Sequence, residues 1–199
     1  MEIALPTAEN MEQVVVILKE GGTVAHATET CYGLACNLSD RKSVQNLFDV
    51  KERPVDMPVS ALFESIEQAK IYTEWSDLAD QLALEHLPGP LTIIVPLKRE
   101  SGLFPAPQGG RTIGVRISPH PIARKLVQAF GAPISTTSAN IHNQTASYSV
   151  AELEQQYRSM QKKPDLLLDS GALKKCLSSS VVSVVGGSVE ILRAGPLQF

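Results

Sequence analysis

Two rhythms of apolar and polar positions alternate along this chain. A helical spacing runs from a cap at Thr7 to about Lys19, where Gly21-Gly22 ends it. Residues 23–27 and 33–38 then read as strands. Ser39 or Asp40 opens a helix through Phe48, and residues 59–63 return to a strand. Helical patterns follow at 64–72 and 76–86, the second stopped by Pro88-Gly89-Pro90. Residues 91–95 and 112–117 are strands, and 121–129 is an amphipathic helix with Gly131 behind it. Gly131-Ala132-Pro133-Ile134 reads as a short buried strand that exits into the polar turn Ser135-Thr136-Thr137-Ser138-Ala139-Asn140. Ser149 with Glu152 makes a capping box for a helix through Met160. Residues 166–168, 180–185 and 189–192 complete the strands, the last two joined at Gly186-Gly187 as a hairpin.

This alternation predicts an α/β fold in which helices flank one sheet. The late hairpin makes the sheet mixed rather than all-parallel. No repeat, low-complexity tract or linker divides the chain, and 199 residues suit a single domain spanning 1–199. The segment 98–111, with two prolines and Gly109-Gly110, reads as a mobile surface loop.

Composition narrows the function classes. A net charge of −3 argues against a nucleic-acid binder driven by bulk charge, though not against a local basic patch. The start lacks the basic and apolar regions of a secretory signal, and no apolar run reaches membrane-spanning length. Three cysteines, an odd number, fit reduced thiols and a cytoplasmic protein.

The candidate chemistry is scattered. Neither a Walker-type phosphate loop, nor a dinucleotide fingerprint, nor a nucleophile elbow is present. Cys31 and Cys36 have no histidine pair to join them in a metal site, so they read as structural thiols. Lys51 and Arg53 follow a helix and precede Pro54. The pattern by itself favours a solvated helix C-terminus, with a polyphosphate clamp as the alternative. Arg116 interrupts the apolar strand Ile113-Gly114-Val115-Arg116-Ile117; if buried it requires a carboxylate or phosphate partner, and the alternative is an edge-strand arginine facing water. Arg193 repeats that pattern, and Ser178-Ser179-Ser180 adds hydroxyls at a strand start.

Seven short segments in order resemble the YrdC family, in its threonylcarbamoyl-AMP synthase group (the TsaC type). They are Thr28-Glu29-Thr30-Cys31-Tyr32-Gly33-Leu34, Lys51-Glu52-Arg53-Pro54, Pro88-Gly89-Pro90-Leu91-Thr92, Val115-Arg116-Ile117-Ser118, Thr136-Thr137-Ser138-Ala139-Asn140, Ser179-Ser180-Val181-Val182 and Leu192-Arg193-Ala194-Gly195. The resemblance implies a twisted mixed sheet flanked by helices around a deep, positively lined cavity. It implies a reaction of L-threonine, bicarbonate or CO2 and ATP that gives threonylcarbamoyl-AMP and pyrophosphate, for downstream proteins that modify tRNA.

By the same resemblance Lys51 and Arg53 hold the ATP phosphates and act as the catalytic pair. Thr112, Thr136, Ser138 and Asn140 line the nucleotide site with Arg53, and Arg193 lies against the nucleotide. Thr30, Arg116 and Ser179 hold threonine, Arg116 on its carboxylate. Mg2+ rides on the phosphates, and no protein side chain is expected to ligate a metal. His26-Ala27, Met57, Leu62, Ser180 and Ile141-His142-Asn143 depart from the family pattern; Leu62 stands where some members contact threonine with a histidine. The additional C-terminal domain of longer members has no counterpart up to Phe199. Two other readings compete. One is a module of the same family that binds tRNA or double-stranded RNA. The other is a carbamoyl-transfer relative like the similar domain of hydrogenase maturation proteins.

Overall fold

A computed structural model describes residues 1–199. Ten strands form one mixed sheet: β1 (Glu2–Ala4), β2 (Val24–Ala27), β3 (Tyr32–Ala35), β4 (Ser60–Leu62), β5 (Leu91–Pro96), β6 (Thr112–Arg116), β7 (Ile134–Ser138), β8 (Leu166–Leu168), β9 (Ser180–Ser183) and β10 (Glu190–Arg193). Their order is β1-β8-β2-β3-β7-β4-β6-β5-β9-β10. Parallel pairs (β1–β8, β2–β8, β4–β6, β5–β9) mix with antiparallel ones, including the β9–β10 hairpin. Six helices flank the sheet: α1 (Ala8–Lys19), α2 (Arg41–Lys51), α3 (Ile66–Tyr72), α4 (Asp77–His86), α5 (Pro121–Phe130) and α6 (Val150–Tyr157).

Local chemistry sets most of the helix ends. The hydroxyl of Thr7 accepts from the Asn10 N–H, and Asp40 accepts from Lys42 and Ser43. Ser149 accepts from Glu152 at 3.2 Å, but the Glu152 carboxylate reaches back to the Tyr148 N–H at 2.6 Å, one residue before the cap. Gly131 ends α5 at φ 78°, a left-handed conformation open to glycine without a Cβ penalty.

Two apolar clusters sit on opposite faces of the sheet. The larger joins α2, α4 and α6 to strand residues such as Ala61, Ile93 and Val115. In the smaller, α1 and α5 cover Val24, Ala35, Leu62 and Ile134. Side chains alternate along a strand, so Ser60, Thr136 and Ser138 share the face of Leu62 and Ile134. α1 and α5 do not reach them, and that uncovered part of the face carries the site.

Three expectations fail for physical reasons. The strand after Gly131 is Ile134–Ser138, so the hydroxyl-rich segment is the strand itself and not a turn beyond it. α2 runs on to Lys51, three residues past Phe48, and Lys51 is buried, not solvated at a helix end. The segment 98–111 is not a free surface loop. Leu103 and Ala106 enter the core, and backbone bonds tie Phe104 to Leu38 and Pro105 to Val59. β1 has no counterpart in the sequence pattern, because it is three residues long and mostly exposed.

Candidate functional site: an arginine-lined cleft on the sheet face

The open part of the face forms a cleft of about 410 Å³. Nineteen residues line it, including Arg53, Arg116 and Arg193 and no Asp or Glu. Hydroxyls of Thr30, Ser60, Thr92, Thr136, Ser138 and Ser179 ring the arginines, with Asn140 beside them. This set suits anionic groups: guanidinium forks for carboxylate or phosphate, and neutral donors around them. A larger depression of about 690 Å³ between α1 and α5 is lined mainly by apolar and uncharged groups with no such convergence.

Each wall has a local cause. β6 brings Arg116 up beside Leu62 of β4, its direct pairing partner. Leu62 stays under the smaller apolar cluster, 1% exposed, and does not enter the cleft. Gly114 leaves room in the floor: a Cβ there would stand 2.4 Å from Ser60 Oγ and 2.7 Å from Thr92 Cγ2. β7 carries Thr136 and Ser138, aligned with β4 by the Ser60–Thr136 pairing. The hairpin supplies the far wall. Arg193 of β10 donates from Nε to the Ser179 carbonyl at 3.0 Å and from Nη2 to Ser179 Oγ at 2.9 Å. Thr92 Oγ1 and Ser179 Oγ are 3.1 Å apart.

Arg116 finds the carboxylate that its burial requires, and it is internal. Nη2 donates to Glu29 Oε1 and, at 3.3 Å, to Thr30 Oγ1. Ser118 Oγ donates to the other Glu29 oxygen. The turn holding Glu29 is organised by the Thr28 hydroxyl, which donates to the Cys31 carbonyl at 2.7 Å and accepts from the Thr30 N–H at 3.2 Å.

Arg53 lies on the opposite side, where it donates to the carbonyls of Met57 at 2.7 Å and Pro58 at 3.0 Å. Lys51 is one layer further back. Its ammonium donates to the carbonyls of Ser138 and, at 2.7 Å, Asn140, behind the chain that leaves β7. Burial, and then the charge of Arg53, pulls its pKa down to about 7. Eight of the ten expected residues therefore meet in the cleft: Thr30, Arg53, Arg116, Thr136, Ser138, Asn140, Ser179 and Arg193. Lys51 and Thr112 are not among the lining residues. Thr112 starts β6, paired to Pro96.

Thr92 and Ser60 line the cleft and Glu29 and Ser118 stand behind Arg116, four positions to which the sequence pattern assigns no role. The one sequence signal was that a buried Arg116 demands an anionic partner; nothing local marks Glu29 as that partner. No group of three or more His, Cys, Asp or Glu side chains is arranged to hold a metal. No helix is long and apolar enough to cross a membrane.

The chain is similar to known proteins over most of its length. The family model for Sua5, yciO and yrdC, described as telomere recombination, matches residues 16–195. A threonylcarbamoyl-AMP synthase of Vibrio parahaemolyticus is 35% identical over 151 residues, covering 74% of this chain and 81% of that protein. One from Pyrococcus abyssi is 31% identical over 203 residues, or 99% of this chain and 58% of that one. Among solved structures, P. abyssi Sua5 complexed with L-threonine superposes with a TM-score of 0.86 at 29% identity; it covers 98% of this chain, which spans 57% of that longer one. E. coli YciO shares the fold, with a TM-score of 0.84 at 22% identity over 99% of this chain and 96% of that one.

Proposed function

Since the chain belongs to the Sua5/YciO/YrdC family, we propose that it forms threonylcarbamoyl-AMP and pyrophosphate from L-threonine, CO2 or bicarbonate, and ATP. The observation that carries this reading is the convergence of Arg53, Arg116 and Arg193 with a ring of hydroxyls in one cleft free of carboxylates. It joins a chain whose relatives bear that name, one of them solved with L-threonine. The names and that complex favour the enzyme over the RNA-binding reading.

The chemistry asks for positioning and charge neutralisation. The threonine amine adds to CO2 as a carbamate and loses a proton. A carbamate oxygen then attacks the α-phosphorus of ATP, and pyrophosphate leaves. Carbamate is a weak nucleophile, so the rate depends on holding two anions in line against their repulsion. Arg116, with Thr30 and Ser179, takes the threonine end. Arg53 and Arg193, with Thr136, Ser138 and Asn140, take the nucleotide and its phosphates. Lys51, bonded to the Ser138 and Asn140 carbonyls, fixes the chain that carries them. ATP enters as its Mg2+ complex, so the metal comes with the substrate, and no protein nucleophile is required. The product then serves cytoplasmic proteins that modify tRNA.

Mass spectrometry after incubation with ATP, threonine, bicarbonate and Mg2+ tests the reading. Threonylcarbamoyl-AMP should appear, and pyrophosphate release should require threonine. ATP turnover indifferent to threonine would refute it.

A further inference from the structure

Arg116 presents an unequal set of donors. Nη2 is fully engaged, by Glu29 Oε1 and Thr30 Oγ1. Nε is buried without a partner, and no protein group accepts from Nη1. The guanidinium is thus held at Nη2, its Nε is shut away from solvent, and Nη1 is the donor left for whatever enters the cleft that it lines.

Glu29 does the holding, yet it is not among the cleft-lining residues. Its side chain is 14% exposed and that of Arg116 11%, so the pair is largely withdrawn from water. Both carboxylate oxygens are used, one by Arg116 and one by Ser118 Oγ. Ser118 is fixed in turn, because its hydroxyl accepts from the His120 N–H at 3.1 Å, one residue before α5 begins. The Thr28 hydroxyl sets the turn that aims Glu29 inward. The chain of contacts runs from two rigid backbone features through Glu29 to one end of the guanidinium.

We propose that Glu29, held by Ser118, is a positioning residue for threonine capture. It anchors Arg116 through Nη2 so that Nη1 faces the incoming carboxylate. This rests on the reading above that Arg116 takes the threonine carboxylate. An arginine on a long flexible stem loses several rotamers when it is ordered, and a guanidinium fixed in advance spends none of the ligand's binding energy on that ordering. The effect acts on threonine and not on ATP, whose phosphates meet Arg53 and Arg193.

The test is steady-state pyrophosphate release by the whole protein, with threonine and ATP varied separately. Glu29→Ala should raise the threonine KM about tenfold or more while the ATP KM and kcat stay within about threefold. Glu29→Gln should restore most of the loss. Its amide oxygen can accept from Nη2, and its amide nitrogen can donate to Ser118. Ser118→Ala should fall between wild type and Glu29→Ala, and it carries the test if Glu29→Ala does not fold. An unchanged threonine KM in Ser118→Ala and Glu29→Ala, an equal rise for ATP, or a Glu29→Gln as impaired as Glu29→Ala would each overturn the proposal. If the wild type binds threonine by calorimetry but makes no adduct, the functional reading fails alone, and the same variants are compared by threonine affinity. A wild type that neither binds nor consumes threonine overturns both.

Discussion

The ammonium of Lys51 donates to the carbonyl oxygen of Asn140 at 2.7 Å, so the last residue of α2 holds the chain that leaves β7. A second bond goes to the Ser138 carbonyl. Truncation would leave two buried acceptors without a donor, each costing about 1–3 kcal/mol. Lys51→Ala should therefore lower the urea midpoint clearly. Arg53→Ala, in a half-exposed position, should change stability little and ATP use strongly. Equal stability in the two variants would place Lys51 in the ligand's path and not behind it.

Arg116→Ala should damage threonine use far more than ATP binding. Truncating one partner of a desolvated charge pair costs about 2–5 kcal/mol, and here Glu29 would also be stranded. Arg116→Lys should recover only part, because an ammonium cannot hold Glu29, Thr30 and a ligand in one plane. Separate KM values for the two substrates decide this.

His26 is fully buried in β2, and burial pulls its pKa from 6.5 to about 4. Nδ1 lies 3.2 Å from the Ala27 carbonyl, and Nε2 has no partner. Between those two pH values the unfolded chain binds a proton that the folded chain refuses. Stability is therefore intact above pH 6.5 and falls as pH drops through the window, by about 3 kcal/mol in all. His26→Leu should flatten that stretch of the stability-versus-pH curve, measured by urea unfolding across the window.

Gly195 lies against backbone. An added Cβ would stand 2.4 Å from the Ser180 nitrogen and 2.6 Å from the Ser178 carbonyl oxygen. Gly195→Ala should push the C-terminal segment off β9 and displace Arg193, at about 1–3 kcal/mol. Turnover should fall more than the unfolding midpoint, since the strain is concentrated beside the site.

The thiols should label in a fixed order. Cys176 is exposed and should react first with an alkylating reagent. Cys31 is slower, its thiol raised by burial, and Cys36, pushed up to about 12, should resist until the protein unfolds. Peptide mapping over time reads the order.

The scaffold was legible in the sequence wherever local chemistry decides it. Thr7, Asp40 and Ser149 cap the helices that they announce, and the Gly186-Gly187 pair does mark an antiparallel hairpin. The pattern misleads where the site overwrites it. β7 carries Thr136 and Ser138 on a face left open for a ligand, so its polarity imitates a turn. Lys51 resembles a solvated terminal cation because sequence does not show that two carbonyls wait for it in the interior. Of the ten residues chosen by resemblance, eight share the cleft; the carboxylate behind Arg116 needed coordinates, since pairing across 87 positions leaves no local trace.

The cleft is closed on its far side by the β9–β10 hairpin, through Ser179 and Arg193. As the ribosome extrudes the chain, these residues emerge after every other part of the site. The sheet from β1 to β8 and both apolar clusters can begin to assemble while the pocket still lacks a wall. A nascent chain halted just before Ser178 would carry most of its fold with the pocket still open on the side of Ser179 and Arg193.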